Sequence, residues 1–103
     1  MLYAAQDLNE RVWLVDDLHL EQFIAAAGRA DNQDALDELA LDPLEADALL
    51  EAMGNENDSM WTMNSSCADF PVAYRSVDEA VVDELMMVPI TPAEIGALRQ
   101  ENL

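Results

Sequence analysis

At 103 residues the chain has the length of one domain, enough to bury roughly two-thirds of the surface its unfolded form exposes. Its 51% apolar content argues against an acidic disordered tail, which lacks the side chains to build a core. The 22 acids face four arginines and no lysine; the resulting formal charge of −18 argues against direct binding to DNA, RNA or an anionic membrane surface, and its natural complement is a basic partner.

Taken in chain order, the first segment has two readings. "RVWLV" (Arg11 to Val15) is β-branched and aromatic, which suits a strand, and "LYAA" before it can pair with it through "QDLN". Leu2, Ala5, Leu8, Val12 and Val15 also fall at approximate helical spacing, so a helix is the alternative. Asp16 or Asp17 then caps a helix whose residues Leu20, Phe23, Ile24 and Ala27 form an apolar stripe, and Gly28 ends it. A short helix from Gln33 to about Ala40 turns Leu36, Leu39 and Ala40 inward. Asp42 opens a third helix, with Pro43 at its first position and Glu45 in its first turn. Ala46, Leu49, Leu50 and Met53 give it an inner face, and Gly54 closes it.

"GNENDS" from Gly54 is a loop by composition. "MWTMN" and "PVAYR" are two short strands joined by "SSCADF", with Trp61, Val72 and Tyr74 contributing to the core. Ser76 and Glu79 match a capping box opening a helix through Met87, which Pro89 stops. Thr91 and Glu94 in "TPAE" start a last helix, which the tail "RQENL" leaves. No repeat, linker or second domain interrupts the pattern. The expectation is a single acidic globular domain over residues 1–103, of α+β class: four to five short helices, which dominate, and a small antiparallel sheet.

Little here points to catalysis. Cys67 is the only cysteine and His19 the only histidine, so an internal disulfide and a cysteine-rich zinc site are excluded. A Cys67–His19 pair would sit among acids that raise a thiol's pKa and oppose its activation. "DNQDALDELALD" lacks the central glycine of a calcium loop, and no phosphate-cradling or nucleophile-elbow motif occurs. The expectation is no enzyme, no cofactor and no dedicated metal site. The N-terminus lacks the basic start and apolar core of a signal peptide, and no run approaches the length of a membrane span. A lone thiol fits a reducing compartment, so a soluble cytoplasmic protein is expected.

The concentrated signal is anionic. From Asp31 to Glu51 lie Asp31, Asp34, Asp37, Glu38, Asp42, Glu45, Asp47 and Glu51, and no Lys or Arg occurs between Arg29 and Arg75. Asp34, Asp37 and Glu38 are spaced i, i+3, i+4, Asp47 and Glu51 are spaced i, i+4, and Asp78, Glu79, Asp83 and Glu84 repeat the arrangement on a later helix. Each such like-charge pair costs an isolated helix roughly 0.2–0.5 kcal/mol, which ordinary soluble helices avoid by interleaving lysines. Carboxylates on neighbouring turns stand about 5–6 Å apart. Two or three packed helices of this kind approximate the charge density of a duplex, roughly one charge per 1.7 Å of axis, over part of a turn. These twelve acids are the candidate partner-binding residues.

In size, charge and acid-lined helices such as "DNQDALDELALDPLEADALLE" and "VDEAVVDELM", the chain resembles the small acidic proteins of phages and mobile elements that imitate nucleic acid, the anti-restriction proteins and some anti-CRISPR proteins. That resemblance implies a stoichiometric inhibitor acting in the bacterial host cytoplasm. Its partner would be a basic nucleic-acid-binding complex, a CRISPR effector or a restriction enzyme, and a homodimer is compatible with it. The alternatives are an acidic adaptor or antitoxin-like module, and a haloadapted protein whose charge serves solubility.

Overall fold

The computed structural model describes residues 1–38, 43–53, 61–64 and 68–100. The chain opens with a hairpin of β1 (Leu2–Gln6) and β2 (Val12–Asp16), so the strand reading of the first segment holds and the helix reading does not. Helix α1 (Leu20–Ala27), a 3-10 turn (Ala30–Asn32), α2 (Gln33–Glu38) and α3 (Pro43–Met53) follow. Strands β3 (Thr62–Asn64) and β4 (Val72–Val77) come next, then α4 (Glu79–Leu85) and α5 (Pro92–Gln100). Among the described residues the four strands form one antiparallel sheet in the order β2-β1-β4-β3, and with five α-helices beside it the fold is of α+β class.

Strand β2 is buried on both faces, which explains why it reads as an unbroken apolar run rather than an alternation. Val12, Trp13, Leu14 and Val15 are all at most 3% exposed. Because successive strand residues point to opposite faces, the core divides in two. Ala5, Trp13 and Val15 pack with Phe23, Ala26 and Ala27 of α1, Ala35 and Leu36 of α2, and Ile95 and Leu98 of α5. Ala4, Val12 and Leu14 pack on the other face with Leu49 of α3, Val82 of α4 and Met87. The alanines at the centre of β1 are fully buried and let both helix layers come close. Val72 is buried, and Trp61 and Tyr74 are half-buried against the two cores, as the sequence suggests.

Several boundaries differ from expectation. Helix α1 has His19 at its N-cap and no side-chain cap, because Asp16 instead closes the preceding turn, accepting the His19 N–H at both its carboxylate (3.0 Å) and its carbonyl (3.3 Å). Ser76 does not cap α4: β4 runs on through Val77, pairing Ser76 with Tyr3, and the cap passes to Asp78, whose carboxylate accepts the Ala80 N–H at 2.9 Å. Helix α4 stops at Leu85, before Pro89. Met87 N–H reaches the Val82 carbonyl and Met86 N–H the Asp83 carbonyl, both at 3.2 Å, with Met86 left-handed at φ 57°. That is a Schellman stop, with Met87 and Val82 supplying its apolar contact in the same core. Thr91 and Glu94 do start α5, and they do so as a capping box: Thr91 Oγ1 accepts the Glu94 N–H at 3.2 Å, and the Glu94 carboxylate accepts from the Thr91 N–H at 3.2 Å. Leu39, Ala40, Asp42, the Gly54 loop and Cys67 lie outside the described residues, as do the side chains of Glu45, Ala46 and Met53.

Gly28 is needed for space rather than for its dihedral angles. Its carbonyl accepts the Phe70 N–H at 3.0 Å, and a Cβ there would run into Ala68 and stand 2.8 Å from the Phe70 carbonyl oxygen. Gly96, inside α5, has nothing within 4 Å of such a Cβ. Gly28→Ala is therefore expected to destabilise the fold by about 1–3 kcal/mol through overpacking. Gly96→Ala is expected to stabilise it by up to about 1 kcal/mol through helix propensity. Urea unfolding of both variants checks the opposite signs.

Candidate functional site

The nominated acids divide across the sheet. Asp31 is exposed on the 3-10 turn, and Asp34, Asp37 and Glu38 are exposed on α2, whose Ala35 and Leu36 pack under one face. Asp47 and Glu51 are exposed on α3, and Glu79, Asp83 and Glu84 on α4. These two helices pack together over the other face through Leu49, Leu50, Val81, Val82 and Leu85. Asp42 and the side chain of Glu45 lie outside the described residues. The fold thus brings the α3 and α4 acids into one layer and leaves the α2 acids in the opposite one.

Not every nominated carboxylate lacks compensation within the chain. Arg11 Nη2 lies 2.7 Å from Asp37 Oδ1, a close ion pair without hydrogen-bond alignment. The terminal amino group approaches Glu79 at 3.9 Å and Asp17 at 3.5 Å. Asp78 spends its carboxylate on the α4 cap. Asp78 and Glu79 sit at a helix N-terminus, and Asp34 in the first turn of α2, where negative charge is favoured by the unsatisfied N–H groups.

Glu51, Asp83 and Glu84 are placed the other way. Each stands in the closing turns of its helix, where the free carbonyls favour cations, and neither α3 nor α4 has a basic residue in its last turn. None of the three makes an ion pair among the described residues. By helix electrostatics alone a lysine would serve better at each.

Sequence reasoning missed one carboxylate of a different kind. Asp7, its side chain wholly buried, accepts four hydrogen bonds: from the backbone N–H of Asn9 (2.8 Å) and Arg11 (2.9 Å), from Arg11 Nε (3.2 Å) and from Trp13 Nε1 (2.9 Å). The Arg11 guanidinium also stands 5.5 Å over the Trp13 ring. The available signal was an Asp opening "DLNER", a turn whose last residue is the only cation before Arg29. This knot sets the hairpin loop and is structural.

His19 Nδ1 lies 2.6 Å from Asp16 Oδ1, so the imidazole is held by its own turn. Among the described residues no group of three or more His, Cys, Asp or Glu side chains is placed to hold a metal ion. No helix among them is long and apolar enough to cross a membrane. Comparison with protein-family models, curated proteins and solved structures returned no match.

Arg11→Ala is expected to cost about 2–3 kcal/mol, because it strips the cation from a buried carboxylate that keeps its backbone and Trp13 donors. Arg11→Lys will not restore it, lacking the fork that reaches Asp7 and Asp37 together. Asp83→Lys with Glu84→Lys is expected to hold or raise stability, by roughly 0.3–1 kcal/mol per site. Thermal unfolding of the three variants at low salt reads out both directions.

Proposed function

We propose that the α3–α4 layer is a protein-binding surface that occupies the basic nucleic-acid groove of another macromolecule. The protein then acts as a stoichiometric inhibitor of anti-restriction or anti-CRISPR type in a bacterial cell. The observation that carries this reading is the placement of Glu51, Asp83 and Glu84: exposed, unpaired among the described residues, and set against the dipoles of their own helices. Acids that help folding sit at N-termini or on Arg11; these do not, in a chain that contains no lysine. A groove that grips phosphates with Lys and Arg supplies the missing cations. Association gains from steering, and released counterions add to affinity.

The α2 acids are the weaker part of the candidate site. They lie in the other layer, and one of them, Asp37, is already paired with Arg11. Charge reversal there at Asp34 and Glu38 serves as the internal control, with Asp37 left intact to spare the Arg11 contact.

The test begins with capture of the partner from a bacterial lysate and continues with competition. Cognate DNA or RNA is expected to displace the protein from its purified partner, and raising salt is expected to weaken the complex while the free protein stays folded in dilute buffer. Reversal of Asp47, Glu51, Asp83 and Glu84 to Lys is expected to slow association by tenfold or more, on the order of the steering effect; Asp34→Lys with Glu38→Lys changes it far less. Simultaneous binding of the partner to nucleic acid and to this protein defeats the mimicry reading. A protein that folds only toward molar salt assigns the charge to salt adaptation.

A further inference from the structure

Two apolar side chains directly after α4 have no work in the fold. Met86 is 86% exposed and Val88 77% exposed, while Met87 and Ile90 are buried at 8% each. The segment that carries them is fixed at both ends. The Schellman bonds hold its start, and the Ile90 N–H donates to the Leu14 carbonyl of β2 at 2.8 Å. Along this held, non-helical stretch Met87 turns into the core on one face of the sheet and Ile90 into the core on the other, while Met86 and Val88 are left facing solvent. Met86 also occupies the left-handed position that glycine fills in most such stops, so a long side chain is kept where it strains the backbone and buries nothing.

The surrounding charge selects the occupant. No Lys or Arg occurs between Arg75 and Arg99, and Asp83 and Glu84 stand exposed within a turn of Met86. A second copy of this chain would bring another −18 charges to the contact, and nucleic acid or anionic lipid would bring phosphates. A cationic protein surface with an apolar recess beside its basic groups matches both features. We infer that Met86 and Val88 form the apolar anchor of the α3–α4 interface, an inference that rests on the proposed reading of that layer. The acids set the approach and its rate; the anchor, a flexible methionine beside a valine, sets how long the complex lasts.

Two probes test it against the full chain: an amphipathic lysine–leucine helical peptide and an oligolysine of equal charge, each followed by fluorescence anisotropy. The wild-type chain is expected to bind the amphipathic peptide more tightly. Met86→Gly suits the left-handed backbone, so its melting temperature should rise while its affinity for that peptide falls about tenfold. Val88→Ser should act in the same direction, and neither should alter oligolysine binding. If both variants bind the amphipathic peptide as the wild type does, while Asp83→Lys with Glu84→Lys abolishes binding, the anchor is wrong and the acidic reading stands. If charge reversal at Asp47, Glu51, Asp83 and Glu84 leaves both peptides bound, the acidic reading falls and the anchor with it.

Discussion

The Asp7 carboxylate is the fixed point of this fold. Its four hydrogen bonds shape the loop between β1 and β2, and the guanidinium that neutralises it reaches on to α2. Burying a carboxylate is costly unless donors and a cation replace water around it. With four arginines in the whole chain, assigning Arg11 to this task commits a quarter of its cationic side chains to one hairpin. The left-handed Glu10, at φ 64°, completes the five-residue connection from Asp7 to Arg11, which the Asp7 side chain stabilises from within.

From that hairpin the remainder follows as a problem of cohesion against repulsion. Beyond the Arg11 pairs, the ion pairs among the described residues are exposed or local and contribute little, so apolar burial against the sheet carries most of the stability. The two fully buried alanines of β1 make a thin central layer on which helices seat closely from either side. The acids are thereby pushed to the outer surfaces of both helix layers. There the physics sorts them: those at helix N-termini stabilise the chain, and those in the closing turns of α3 and α4 oppose it.

Much of the local structure was legible in the residues. The β-branched run "VWLV", Pro43 at the first position of α3 and the Thr91–Glu94 pair each act through immediate neighbours, and each produced its element. What escaped were outcomes decided by distant partners. Ser76 and Glu79 have the spacing of a cap, but Leu2 pairs with Val77 and holds Ser76 in the strand, so Asp78 takes the role. At Leu36 of α2 and at Leu49 and Leu50 of α3 periodicity identified inward residues without revealing that the sheet lies between their layers, because helical spacing fixes a face and not a side. The same blindness hid the Arg11–Asp37 pair, which joins residues far apart in sequence. In "LMMVPI" the apolar run exceeded what one buried face can absorb, and only the Schellman stop decided which members stay outside.

The hydrogen bond from Ile90 to Leu14 has a bearing on colloidal behaviour. Strand β2 lies at the margin of the sheet and carries four consecutive apolar residues, the composition that templates cross-chain pairing and amyloid growth. Ile90 occupies that margin at its middle, and at neutral pH the mutual repulsion of chains adds a second barrier. Near the isoelectric point that the sequence sets, about 4.1, the repulsion vanishes, and among the described residues the strap at Ile90 is what still covers that margin.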